Sequence, residues 1–244
     1  KEVNVMLVLK DVSKSYDKQK NVVENISLEV KKGEVMGFIG PNGAGKTTTI
    51  KMITGILSPS SGSIKVNGFD ISKSPVEAKG SFTYVPDYPA IFDSIKGIDY
   101  LNFIGDMYDV SVEMRKERIE KFTREFQIYD ALTQPVNSYS HGMKQKLIIS
   151  GALLPKPEIF ILDEPMVGLD PYSAKILKDL MKEHCDNGGT VFFSSHGLEV
   201  VENICDRVAI IHKGKLIVCD TVENIKRSDD TTLEKVFLEM TKDE

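Results

Sequence analysis

Residues 40–47, Gly40-Pro41-Asn42-Gly43-Ala44-Gly45-Lys46-Thr47, match GxxxxGK[ST] at every fixed position. Glycines at this spacing let successive backbone N–H groups converge on phosphate oxygens without Cβ obstruction. A helix opening just after Gly45 adds unpaired N–H groups and the positive end of its dipole. In such a loop Asn42, Gly43, Ala44 and Gly45 form the cradle. Lys46 reaches the β- and γ-phosphates, Thr47 ligates Mg²⁺, and Thr48 can add an α-phosphate contact. The plainer alternative is a glycine-rich turn that binds an ion. The full match, between an apolar run and a helix-forming segment, favours a nucleoside triphosphate.

A second run brings carboxylates. Residues 158–162, Glu-Ile-Phe-Ile-Leu, deliver Asp163 and Glu164 at their end. Asp163 suits Mg²⁺, directly or through water, and Glu164 suits orienting or deprotonating an attacking water. Alone, the pair would read as acids at the end of a strand before the Pro165 turn. Beside a phosphate loop the two acids acquire separate tasks.

These residues need elements to position them. Residues 35–39 are nearly all apolar, as in a central strand covered on both faces. Residues 158–162 and 190–194 are two more core strands, the latter entered through Gly188-Gly189. Residues 3–10 and 22–30 read as strands, with turns expected in the polar stretch 11–21. Residues 63–69 and 81–85 are small strand pieces, and 207–212 with 215–218 form a hairpin at Lys213-Gly214. From Asp93 the pattern changes. Ile95, Ile98, Leu101, Ile104 and Met107 share one helical face, then Met114, Ile119, Phe122 and Phe126 follow in a charged background. That stripe reads first as packing. Helices are also expected at 147–154, 174–185 and 199–204. Residues 222–240 should hold two short helices, broken near Ser228-Asp229-Asp230. Such alternation implies a mainly parallel sheet with an antiparallel addition.

The expected organisation is one domain over 1–244. A nucleotide-binding core with a β subdomain takes 1–89 and 153–220, a helical subdomain takes 90–152, and C-terminal helices take 221–244. The 244 residues are 41% hydrophobic and 27% charged, which excludes global disorder. No continuous apolar stretch reaches the 18 or so residues of a membrane-spanning helix, and no secretory leader is evident. The net charge of −5 gives no general attraction to nucleic acid. Cys185, Cys205 and Cys219 are odd in number and lack CxxC spacing, so they read as free thiols.

Beyond these two motifs, the chain resembles the ATP-binding-cassette (ABC) ATPase family along essentially its whole length. Tyr139-Ser140-His141-Gly142-Met143 stands where that family carries LSGGQ, shortly before the Asp163-Glu164 strand. Gly168-Leu169-Asp170 resembles its D-loop, and Ser194-Ser195-His196 its switch histidine. Tyr16 resembles the aromatic that stacks on adenine, with Val22 beside the same base. The implied fold is α/β: a P-loop NTPase of ABC ATPase type, with a mixed β core, an antiparallel N-terminal β subdomain and an inserted α-helical subdomain.

The resemblance also implies a mechanism. Two cassettes face each other head to tail, and each ATP lies between one phosphate loop and the opposite signature. Ser140, Gly142 and Met143 then meet the nucleotide held by the partner's lysine loop, and Asp170 crosses the interface. Glu164 polarises the water, His196 contacts the γ-phosphate, and Asp87 takes the place of the Gln that reaches Mg²⁺. The cofactors implied are ATP and Mg²⁺. The partners implied are a second copy, or a paralogous cassette, and a separately encoded membrane permease, with the chain peripheral on the cytoplasmic face. Nucleic acid is not expected. The bare cassette and Tyr84-Val85-Pro86-Asp87 are similar to the ATPase subunits of ABC-2 type exporters. The alternatives are a soluble ABC ATPase of DNA maintenance or translation, and an ATP-dependent regulatory module. Four positions depart from the family pattern: Tyr139 for Leu, His141 for Gly, Met143 for Gln, and Asp87 for Gln.

Overall fold

Every residue of β3 (Val35–Ile39), β7 (Ile159–Leu162) and β8 (Thr190–Ser195) is buried, as their apolar runs require. The computed structural model describes residues 5–16, 21–88, 91, 94–226 and 231–242. The two positions that begin the expected strand 3–10, the 89/90 boundary, Asp93 and the break at 228–230 lie outside them. With β6 (Phe82–Val85), β9 (Arg207–His212) and β10 (Lys215–Thr221), those strands form a six-stranded sheet. Its order is β10-β9-β3-β8-β7-β6, parallel except at β10, which pairs antiparallel with β9.

Side chains alternate across this sheet, so each strand feeds two cores. Val35, Ile39, Phe160, Leu162, Val191 and Phe193 join one apolar cluster with the helices. Met36, Phe38, Ile159, Ile161 and Phe192 point to the other face. That face is covered by α1 (Lys46–Ile53) and an antiparallel sheet. The second sheet orders β2 (Asn21–Lys31), β1 (Val5–Ser15), β4 (Ser61–Val66) and β5 (Phe69–Asp70).

One expectation is corrected here. Residues 11–15 are strand, not turn: β1 passes over Asp11 (φ 51) in a bulge, and Asp11 N–H donates to Ser27 Oγ at 2.8 Å. Pairing on both edges and burial of Val12 outweigh the polar local sequence. The expected helical subdomain opens with α3 (Gly97–Met107) and α4 (Val112–Glu125). Asp109 (φ 52) ends one helix and Ser111, accepting from Met114 N–H, caps the next. Leu101 is buried on the predicted stripe, but Met107 at its end is 62% exposed. α2 (Pro75–Gly80) is a short helix the periodicity does not announce.

Most of the remaining α-helices adjoin the core strands in sequence. α5 (His141–Leu153) leads into β7 and packs against α3 and α4, and α6 (Pro171–Asp186) links β7 to β8. α7 (Leu198–Ile204) follows His196, and α8 (Val222–Lys226) with α9 (Leu233–Thr241) dock near it.

Candidate functional site

Parallel pairing places four strand ends side by side, where ligands of open α/β sheets bind. Ile39 pairs with Ser195, Leu162 with Phe193, and Val85 with Leu162. Hence the phosphate loop after β3, His196 after β8, Asp163-Glu164 after β7 and Asp87 after β6 share one edge. Their separation in sequence disappears in the sheet.

The phosphate loop closes over the start of α1. Gly45 has φ 106 at the helix entrance, a conformation open to glycine, and Val22 O would lie 2.9 Å from any Cβ added there. Lys46 is almost fully buried. Its Nζ donates to Gly40 O at 2.7 Å and sits 3.5 Å from Glu164 Oε1. Asn42 and Gly43 are exposed, Ala44 is buried, and Thr47 and Thr48 are half-buried at the helix start.

Asp163 is fully buried. Its Oδ1 accepts from Ser194 Oγ at 2.5 Å, while Oδ2 has no protein partner. Burial pushes this carboxyl above its ordinary value, and the hydroxyls of Ser194 and Thr47 partly offset the rise. Burial, aided by the charges of Asp163 and Asp87, also holds the neighbouring Tyr84 phenol well above its ordinary value.

Ser194 carries a second bond, accepting from Glu164 N–H at 2.9 Å. Glu164 sits at φ 47, a left-handed conformation costly for a residue with a side chain, at the turn out of β7. Its carboxylate is held from two sides. One oxygen faces Lys46, and Oε2 lies 2.7 Å from His196 Nδ1 and accepts the His196 N–H at 3.3 Å. A carboxylate only accepts, so a neutral His196 carries its proton on Nδ1 and offers Nε2 as acceptor. The ring rests on Glu164 while the His196 side chain stays 63% exposed.

The start of α5 lies elsewhere. Ser140 caps it, its Oγ accepting from Met143 N–H at 3.2 Å. The His141 ring stands on Gly168, where an added Cβ would be 2.6 Å from His141 Cδ2, and tilts against Tyr88 with ring centroids 5.9 Å apart. The imidazole is thus accommodated beside the helix axis by a neighbouring glycine. Tyr139, in place of Leu, is buried and donates its hydroxyl to Ala131 O at 2.7 Å. Among the described residues, no hydrogen bond or ion pair joins Ser140, Gly142 or Met143 to the phosphate loop.

Asp170 caps α6, accepting from Ser173 N–H at 2.9 Å, and pairs with Lys146 Nζ at 2.7 Å. Lys146, with help from Ser173, holds the Asp170 carboxyl well below its usual range. Asp87 is exposed at its strand end. Tyr16 is 62% exposed with Lys14 Nζ 5.5 Å from its ring centroid, and Val22 is half-buried in β2.

Thr47 and Asp163 are the donors that fit a magnesium ion. The buried, unpartnered Asp163 Oδ2 asks for a positive partner. Among the described residues no cluster of three or more His, Cys, Asp or Glu could hold a metal. So sparse a set suits Mg²⁺, which takes one or two protein oxygens and fills its shell with phosphates and water. Ser194, Lys146 and Gly168 carry much of this network, and no motif spacing pointed to Ser194 or Lys146 as partners of the acids.

A family model described as ABC transporter matches residues 23–167. The chain is 38% identical over 216 residues to the linearmycin resistance ATP-binding protein LnrL of Bacillus subtilis (strain 168), covering 88% of this chain and 69% of that protein. It is 33% identical over 242 residues to the ABC-type transporter ATP-binding protein EcsA of the same organism, covering 98% of each. A solved structure of the ATP-binding subunit of an ABC transporter superimposes with a TM-score of 0.92 at 33% identity, covering 97% of this chain and 100% of that one.

Proposed function

The chain belongs to the ABC transporter family of ATP-binding proteins, and from that premise we propose that it is the ATP-hydrolysing motor of an exporter. Its path across the membrane is a separate permease, and among the described residues no helix is long and apolar enough to cross a membrane. Export is supported by the Tyr84–Asp87 segment and by likeness to a relative named for linearmycin resistance. The working division keeps a nucleotide core in 1–89 and 153–220, a helical unit in 90–152 and a C-terminal pair of helices in 221–244.

The observation that carries this reading is a split site. The phosphate loop, Asp163, Glu164 and His196 share one sheet edge, whereas among the described residues the capped start of α5 has no bond to the loop it should complete. Two copies placed head to tail unite the halves. Lys46 and the loop N–H groups bind the β- and γ-phosphates of one ATP. Ser140, Gly142 and Met143 of the other copy offer a helix N-terminus to the same γ-phosphate. Tyr16 and Val22 flank the base.

Thr47 and Asp163, with Asp87 through water, would hold Mg²⁺, which supplies charge neutralisation on the phosphates. Glu164 Oε2, oriented by His196, accepts a proton from water as its oxygen attacks the γ-phosphorus. The bond to the β–γ bridging oxygen breaks, and ADP departs with that electron pair. Loss of phosphate weakens the clasp, the dimer opens, and the permease responds.

Glu164→Gln tests the proposal. The amide keeps the shape but cannot take the proton, so turnover should fall at least ~100-fold, the lower range for a lost general base. MgATP should then trap a dimer detectable by size-exclusion chromatography. Wild-type turnover would remove Glu164 as the base. A variant that stays monomeric at saturating MgATP, even with its permease, would remove the motor.

A further inference from the structure

Lys146 lies in the second turn of α5, five positions beyond His141. Its stem is packed, with the side chain 13% exposed, and Nζ meets Asp170 Oδ2 at 2.7 Å, that carboxylate being 48% exposed. Such a half-exposed pair contributes little to global stability. Its consequence is geometric. Asp170 already fixes the start of α6 through Ser173 N–H and Ser173 Oγ, at 2.9 and 2.8 Å.

The same loop touches α5 again at Gly168, whose carbonyl oxygen would lie 2.7 Å from a Cβ on Gly142. Residues 164–170 are stiffened by turns, Val167 N–H donating to Glu164 O at 3.1 Å and Leu169 N–H to Met166 O at 3.2 Å. One end of this short loop is Glu164. The other is Asp170.

We propose that Lys146 is a positioning residue that locks the start of α5 to the loop carrying Glu164. The half-site this chain lends to its partner's nucleotide and the base it keeps for its own then move as one body. The inference rests on the head-to-tail reading above. In it, a γ-phosphate drawing on the α5 N-terminus pulls through Lys146 and Asp170 on the loop that ends at the base. Coupling between two nucleotides becomes a property of this ion pair. The contacts at Gly168 are steric, and they resist compression but not separation. Lys146 supplies the attraction.

The test uses the full chain with Lys146→Met, which keeps an aliphatic stem, Lys146→Arg, which keeps the charge, and Asp170→Asn, which keeps the cap acceptor. Fluorescent ATP binding is measured on dilute monomer. The ATP concentration for half-dimerisation is measured in a Glu164→Gln background, and the Hill coefficient is taken from turnover against ATP.

Lys146→Met should leave monomer affinity within ~2-fold. It should raise the ATP needed for half-dimerisation by ~5-fold or more, the low end of site-to-site coupling, and move the Hill coefficient toward that of independent sites. Lys146→Arg should behave as wild type. Lys146→Met combined with Asp170→Asn should lose no more than the worse single variant, as for members of one interaction. Wild-type dimerisation and cooperativity in Lys146→Met would overturn the inference and leave the motor standing, even with a lower melting temperature. A Glu164→Gln parent that never dimerises would overturn both.

Discussion

Ser194→Ala removes one hydroxyl that serves both acids at the end of β7. Ser194 Oγ donates to Asp163 Oδ1 at 2.5 Å and accepts from Glu164 N–H at 2.9 Å, and both Ser194 and Asp163 are fully buried. A bond to a charged group contributes about 1.5–3 kcal/mol and one to a neutral amide about 1 kcal/mol, so the loss should be about 2.5–4 kcal/mol. That is a large share of the stability of an ordinary domain. The pH dependence carries a sign. Burial already raises Asp163 above its ordinary 3.8, and losing the Ser194 donor raises it further. A carboxyl with a raised folded value contributes most below its unfolded value, and that contribution is lost as pH rises through the folded one. The deficit of Ser194→Ala should therefore be largest near pH 7.5 and shrink on acidification toward pH 4. Urea unfolding followed by circular dichroism, with EDTA present, measures it at both pH values. ATP turnover should fall at least ~10-fold, because the Glu164 amide loses its anchor. A stability loss under ~1 kcal/mol at pH 7.5, or a loss that grows in acid, would refute the reasoning.

Two other perturbations read different parts of the molecule. Gly40→Ala drives its Cβ into the carbonyl oxygen of Ile211 and to 2.8 Å from Ile211 Cγ2, whereas Gly43 at φ 77 has nothing within 4 Å of an added Cβ. Gly40→Ala should thus cost about 1–3 kcal/mol by overpacking and Gly43→Ala about 1 kcal/mol by backbone strain, with ATP affinity falling more for Gly40→Ala. Thermal melts and nucleotide titrations that rank the two the other way would count against this packing. His184 sits edge-on to Phe160 with its Nε2 unpartnered, and burial holds its imidazole below the ordinary 6.5. The unfolded chain binds that proton first, so this contribution is present at neutral pH and lost as pH falls below 6.5 toward the folded value. The urea midpoint should drop between pH 7 and 5.5, and His184→Leu should drop less over the same interval. Parallel curves would dismiss the imidazole as a source of acid sensitivity.

What could be read from sequence is what neighbouring residues dictate to one another. The phosphate loop is eight consecutive positions whose glycines, lysine and threonine act through local backbone geometry. Asp163 and Glu164 are legible because an apolar strand carries them to its end, and β3, β7 and β8 are legible because burial on both faces leaves no polar position in their centres. Other features depend on partners far along the chain. Residues 11–15 look like turn until β2 and β4 pair with both edges of β1. Met107 keeps the phase of the apolar stripe yet is exposed at the last turn of α3. Ser194 gains its place only when parallel register sets Phe193 beside Leu162, so that the next residue of β8 reaches Asp163. Lys146 in α5 and Asp170 at the cap of α6 lie on separate elements and meet only once the chain is folded. Residue types set which chemistry is available, and the register of strands and the packing of helices decide which side chains share it.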